Sequence, residues 1–187
     1  MGSLSLFVRE GWFIVDFFEV VRARRSVRSY LDEDVSDGEV RRLLEAAILA
    51  PSAGNCQPWE FIVVRDEKRK EALSKAALGQ RFIAEAPVVI VVCANIPRTA
   101  AHYGPRGANL YVIQDTAAAT QNILLAATAM GLATCWVGAF DERKVSEILE
   151  LPEEVRPLAI IPVGRPRKVP PMPPRIPLER VVHYEKW

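Results

Sequence analysis

The sequence predicts a single α+β domain in which helices pack on a buried sheet, and three stretches predict it. Val88-Val89-Ile90-Val91-Val92 is a continuously apolar run, as expected of a strand covered on both faces. Ser36-Asp37-Gly38-Glu39 is a capping box, and behind it Val40, Leu43, Leu44, Ala47 and Ile48 fall on one helical face. Leu110 to Met130 is long, alanine-rich and nearly free of charge, a helix that must be buried nearly all round, centrally or against another subunit. At 187 residues and 50% hydrophobic, the chain is long enough for one sizeable core. It shows no internal repeat.

The remaining elements follow in order. Residues 1–14 read as an N-terminal extension, and 15–187 as the single domain. Asp16 to Ala23 is a short helix that ends at an arginine cluster. Pro51 stops the capped helix. Trp59 to Arg65, aromatic and β-branched, is a strand, and Asp66 to Leu78 is a charged surface helix. Pro87 to Ala94 contains the apolar strand. Thr134 to Val137 begins another, Asp141 caps a helix to Leu149, and Pro157 to Val163 is the last strand. Residues 165–187 carry Pro166, Pro170, Pro171, Pro173, Pro174 and Pro177, so they run extended. They also carry Ile176, Leu178, Val181, Val182, Tyr184 and Trp187, more large apolar side chains than a solvated tail needs. This arm is expected to wrap a partner subunit.

Composition excludes several classes. With 24 Lys+Arg against 23 Asp+Glu, the net charge is +1, which argues against a nucleic-acid surface. Cys56, Cys93 and Cys135 form no Cys-x-x-Cys pair, which favours reduced thiols in a cytoplasmic protein over disulfides or zinc. His102 and His183 lack metal-ligand spacing, so no metal is expected. Charges interrupt the apolar N-terminus, and neither a membrane span nor a signal peptide is evident.

Two motifs carry the chemistry. Arg24, Arg25 and Arg28, with the Ser26 hydroxyl between them, supply charge-assisted donors where a helix ends, a set suited to a phosphate. A solvated basic turn is the alternative. The second motif, Pro51-Ser52-Ala53-Gly54-Asn55-Cys56-Gln57-Pro58-Trp59, joins helix to strand through small residues and carboxamides. Asn55 and Gln57 each offer a donor and an acceptor to a flat polar ligand, and Gly54 permits a close backbone approach. Together the two motifs suggest a flavin mononucleotide (FMN) site. There is no Gly-x-Gly-x-x-Gly junction, phosphate loop or nucleophile elbow.

These motifs resemble the flavin-dependent nitroreductases. The resemblance rests on Arg24-Arg25-Ser26-Val27-Arg28-Ser29-Tyr30, the 51–59 stretch, Gly79-Gln80 ahead of Ala86-Pro87, the run Gly131 to Phe140, and Pro174-Arg175-Ile176-Pro177-Leu178. It spans Val15 to the C-terminus. It implies a central, mostly antiparallel sheet flanked by helices, in an intertwined homodimer with exchanged C-terminal arms. By the same resemblance, Arg24 and Ser26 hold the FMN phosphate and Arg175 returns to complete the clamp. Arg28 points to the ribityl chain and pyrimidine edge, and Gln80 bonds that edge. Backbone amides around Val137 and Gly138 face N5 and O4. Pro51, Ser52 and Asn55 reach the flavin of the opposite subunit.

The implied activity is NAD(P)H oxidation by ping-pong hydride transfer through flavin N5 to an electron-poor acceptor such as a nitroarene, quinone or flavin. The alternatives are a specialised enzyme of the same fold, of dehalogenase or flavin-fragmenting type, and a non-catalytic flavin-binding module. Tyr103, Arg106 and Trp136 are candidates for a substrate-pocket wall; the competing reading is surface loop for the first two and core for Trp136. The stretch 94–107 matches no subgroup of the family, and Arg165 stands where relatives often carry Tyr, so the acceptor and the NADH or NADPH preference stay open.

Overall fold

The computed structural model describes residues 6–9 and 12–187, with side chains from Asp16 onward. The expected extension over 1–14 lies partly outside the described residues. Within it, β1 (Leu6–Arg9) and β2 (Trp12–Val15) pair antiparallel, with Leu6 opposite Val15.

The domain is built on a four-stranded, wholly antiparallel sheet. Its strands are β3 (Trp59–Val64), β4 (Val88–Asn95), β5 (Ala133–Thr134) and β6 (Val155–Gly164), in the order β3-β4-β6-β5. The period-2 alternation of β4 divides the core in two. Val88, Ile90 and Val92 face Leu43, Ala47, Ile123 and Ala127 of α2 (Asp37–Ile48) and α6 (Val112–Ala129). Val89, Val91 and Cys93 face Leu73 of α3 (Glu67–Ala76), Ile83 of α4 (Phe82–Glu85) and Val145 of α7 (Glu142–Leu149). The continuous apolar run is thus required, because both faces are covered. A β-bulge lies between Val92 and Cys93 on the β4–β6 pairing.

Local signals hold where expected. The Glu39 amide donates to Ser36 Oγ and the Ser36 amide to Glu39 Oε2, completing the capping box of α2. Asp16, Asp66 and Asp141 likewise accept from the first turns of α1 (Phe17–Ala23), α3 and α7.

Three expectations change. The strand read over 134–137 pairs only at Ala133 and Thr134, and beyond them Val137 makes an isolated bridge with Ile160. Residues 96–106 form helix α5 (Ile96–Arg106), broken at Gly104 (φ 53°) and continuing through a π-helical turn, Gly107–Tyr111, into α6. Third, α6 buries one face within the chain, through residues such as Val112, Ala119, Ile123 and Ala127, and leaves Ile113 40% exposed. Along its other side Ile113, Gln114 and Ala129 are exposed and residues such as Ala118, Gln121 and Leu125 are half-buried.

The arm from Pro166 onward is mostly exposed, with Ile176 and Leu178 each 68% exposed and Trp187 99%. Its regular structure is one 3-10 turn, Leu178–Arg180. No helix among the described residues is long and apolar enough to cross a membrane.

Candidate functional site

The arginine motif meets the β5 edge of the sheet. The Val27 amide donates to the Thr134 carbonyl at 2.9 Å, and Ser26 bridges Thr134 in parallel. Beneath them Val27, Tyr30, Ala86 and Ala133 form a small apolar cluster. Gly164 belongs to this packing: a Cβ there would sit 2.8 Å from Pro87 Cδ and 2.9 Å from Tyr30 Cδ1. Cys135 follows β5 directly. Burial pushes its thiol pKa up, opposed by the guanidinium charges of Arg28 and Arg24 and by the Ser26 hydroxyl. Because Ser26 and Val27 dock on Thr134, Arg24 and Arg28 flank that edge in the chain on either side of them. The Arg28 guanidinium lies 5.8 Å from the Phe82 ring centroid. No ion pair among the described residues involves Arg24, Arg25 or Arg28. The patch therefore keeps its positive charge.

Gln80 reaches the same edge. Its Nε2 donates to Ala77 O at 2.9 Å and to Ala139 O at 3.3 Å, tying it to the loop that carries Val137 and Gly138. Both carboxamide hydrogens are then committed, and the oxygen is left as an acceptor. Gly138 is exposed, and a Cβ built on it would meet nothing within 4 Å. Nothing among the described residues would obstruct a side chain there, so that flank of the loop is open.

Two members of the expected clamp fall elsewhere. Arg25 turns back on its own helix, with Nη1 donating to the carbonyls of Arg22 and Arg24, the latter at 2.8 Å. A guanidinium at a helix C-terminus satisfies carbonyls that have no intrahelical partner. Arg175 is exposed on the arm and donates to Pro173 O and Pro174 O, so within one protomer it does not complete the clamp.

The carboxamide loop lies at the opposite corner of the sheet. It leads into Trp59, opposite Ala94 on β4, whereas Thr134 pairs with Val163, level with Val88. Three strand spacings make about 14 Å across the sheet, and the six residues from Val88 to Ala94 make about 20 Å along it. The loop's backbone is unusual. A 3-10 turn, Ala53–Asn55, is followed by Cys56 and Gln57, and φ is positive at Gly54 (53°), Asn55 (55°) and Gln57 (49°). Left-handed backbone at non-glycine residues is uncommon and concentrates at functional sites. Gly54 suits this φ, and a Cβ there would also sit 2.5 Å from Tyr103 Oη, the mobile end of an exposed side chain. Pro51, Gly54, Asn55 and Gln57 are exposed and Ser52 half-buried.

Of the pocket candidates, Tyr103 and Arg106 gather beside this loop, on helix rather than surface loop. Tyr103 packs edge-on against Tyr111 at 5.2 Å, and Arg106 Nε donates to Tyr111 Oη at 3.0 Å. Trp136 is 39% exposed at the β5 edge, not core. Sequence reasoning missed Asp115, whose Oδ1 accepts the Ala53 amide at 3.0 Å. The available signal was that Asp115 is the sole charged residue of α6. Among the described residues no three or more His, Cys, Asp or Glu are grouped to hold a metal ion.

The model of the Nitroreductase family matches residues 21–81 and 74–165. The chain belongs to this family. It is similar to an NADH dehydrogenase of Thermus thermophilus, 35% identical over 196 residues that cover 90% of this chain and 96% of that protein. It is 32% identical to an FMN reductase (NAD(P)H) of Bacillus subtilis over 185 residues, covering 90% of this chain and 74% of that one. Among solved structures, the NADPH:FMN oxidoreductase of Vibrio harveyi complexed with NAD+ matches with a TM-score of 0.84. The identity is 27%, covering 91% of this chain and 77% of that one. All matched family residues lie after Val20, so the N-terminal hairpin strands stand outside them.

Proposed function

We propose that this nitroreductase-family oxidoreductase binds FMN between two copies of the chain and uses it to oxidise NADH or NADPH. The observation that carries the reading is the unpaired cationic patch of Arg24, Ser26 and Arg28 beside Gln80 and Gly138. The donor set fits the cofactor: guanidinium groups and a hydroxyl without carboxylate partners suit a phosphate dianion. The acceptor oxygen of Gln80 suits a ring N–H, and the bare flank of Gly138 suits a flat ring. The relatives named for FMN and NAD(P)H support the assignment.

FMN, when bound, supplies hydride chemistry, accepting from the nicotinamide and passing to an electron-poor acceptor such as a nitroarene, quinone or flavin. This chain's residues seat and tune it. Arg24 and Ser26 would hold the phosphate, Arg28 would bring positive charge to the pyrimidine edge, and the Gly138 amide would face the reacting side; the Val137 amide, expected beside it, is instead committed to Ile160 O at 3.0 Å. Dipoles fixed in advance favour charge where it develops. Ser52 and Asn55 come from the second copy, because their own chain leaves them at the far corner. The partner's arm brings its own Arg175 to the phosphate, and Tyr103, Arg106 and Trp136 border the acceptor.

The visible spectrum of purified protein soaked in FMN, followed by anaerobic titration with NADH and NADPH, tests this. A yellow protein bleached by either nucleotide is expected. A colourless protein refutes the cofactor assignment, and a yellow one that neither nucleotide bleaches is a binding module.

A further inference from the structure

We propose that Asp115 is a positioning residue for this site, holding the 51–57 loop in the shape that presents Ser52 and Asn55. The inference deepens the FMN reading and rests on it for its consequence, though not for its geometry.

The loop contains left-handed backbone at Gly54 and Asn55, which tolerate it, and at Gln57, which does not. Most of its recorded main-chain hydrogen bonds are internal. Asn55 N donates to Ser52 O, Cys56 N to Ala53 O and Gln57 N to Ser52 Oγ, each at 3.0 Å. Such bonds fix a loop's shape but not its place in the molecule. Two bonds fix its place. Exposed Arg98 donates to Gln57 O at 3.0 Å, and Ala53 N donates to Asp115 Oδ1 at 3.0 Å. Asp115 is the buried one, 6% exposed, on a helix held by the core.

Its second oxygen, Oδ2, is buried and has no hydrogen-bond partner among the described residues. Burial raises the carboxyl pKa, against the Ala53 amide, which lowers it. In so buried a place the carboxylate's hydrogen bond to the Ala53 amide is less weakened by water than an exposed one would be. Its one engaged oxygen acts on the loop.

The test separates the acceptor from mere bulk. Asp115→Asn keeps an acceptor oxygen at the same reach, whereas Asp115→Ala removes it. Ala53→Pro removes the donor instead, and the extended backbone of Ser52 (φ −142°, ψ 154°) tolerates a following proline. Two measurements are made on the full chain: hydrogen–deuterium exchange of peptides covering 51–57 without flavin, and FMN affinity by fluorescence quenching.

Asp115→Ala and Ala53→Pro should each speed exchange in that segment and weaken FMN about ten- to hundredfold, the range for one charged hydrogen bond. The double variant should be no worse than either. Asp115→Asn should keep the protection and stay within about threefold in affinity, even where its buried amide lowers Tm. A structural role would instead rank all variants by Tm. Unchanged exchange in Asp115→Ala, or Asp115→Asn falling as far as Asp115→Ala, overturns the proposal. Failure of the unaltered protein to take FMN overturns the functional reading instead, because the exchange result stands without flavin.

Discussion

The arginine corner and the carboxamide corner solve opposite problems. At the first, Ser26 and Val27 dock on Thr134, the backbone is ordinary, and the cations are left without partners. At the second, the backbone is held in left-handed conformations by Asp115, Arg98 and the cover of Tyr103, while the polar side chains point away from the core. Their glycines show the contrast. Gly54 is favoured by its own left-handed φ and lies under Tyr103, whereas no described residue approaches a Cβ built at Gly138. One corner gathers the cations Arg24 and Arg28, and the other presents the exposed carboxamides Asn55 and Gln57. Two half-sites that far apart in one protomer make sense when a second protomer brings them together.

The largest blow to that comparison is removal of the arm. Deleting residues 166–187 should give a monomer by sedimentation and release the flavin; a yellow monomer of unchanged Tm would mean that one chain suffices. Next is Arg24→Ala, expected to weaken FMN roughly ten- to hundredfold, as for loss of one charged hydrogen bond of about 1.5–3 kcal/mol. Full flavin retention in fluorescence titrations would remove Arg24 from the phosphate site.

Mixed dimers sharpen the point. A chain with Arg24→Ala and a chain with Ser52→Ala plus Asn55→Ala should each bind FMN poorly alone. Refolded together, each mixed dimer has one site with both halves intact, so flavin should return at up to one per dimer. No recovery in the isolated mixed dimer would place both halves in a single chain.

The smallest effects concern the two glycines. Gly54→Ala meets a left-handed backbone and the Tyr103 ring, and should cost about 1–3 kcal/mol in denaturant unfolding. Gly138→Ala should leave stability unchanged or raise it by up to about 1 kcal/mol, since it restricts the unfolded chain. It should nevertheless weaken FMN. The reverse ranking would mean that Gly138 serves the fold and Gly54 the ligand.

Much of this molecule was determined locally, and those parts were legible. The capping box at Ser36, the acidic caps at Asp16, Asp66 and Asp141, and the doubly covered strand at Val88 follow from hydrogen bonding within one turn or from an apolar run. Such rules need only near neighbours. Arg25 shows where they stop: four arginines in seven residues look alike until one is spent on the carbonyls of its own helix. Trp136 and the 96–106 helix were likewise undecidable, because exposure and the break at Gly104 depend on what packs around them. The sequence by itself specified the capped helices, the buried central strand and the residue types suited to a phosphate and a flat polar ring. Only the tertiary structure decided that these types stand at opposite corners and that Asp115 holds one of them. The reason is that strand order and helix docking bring together residues about 60 positions apart, as Ala53 and Asp115 are, or more than 100, as Val27 and Thr134 are, and no local pattern encodes which distant partner will be met.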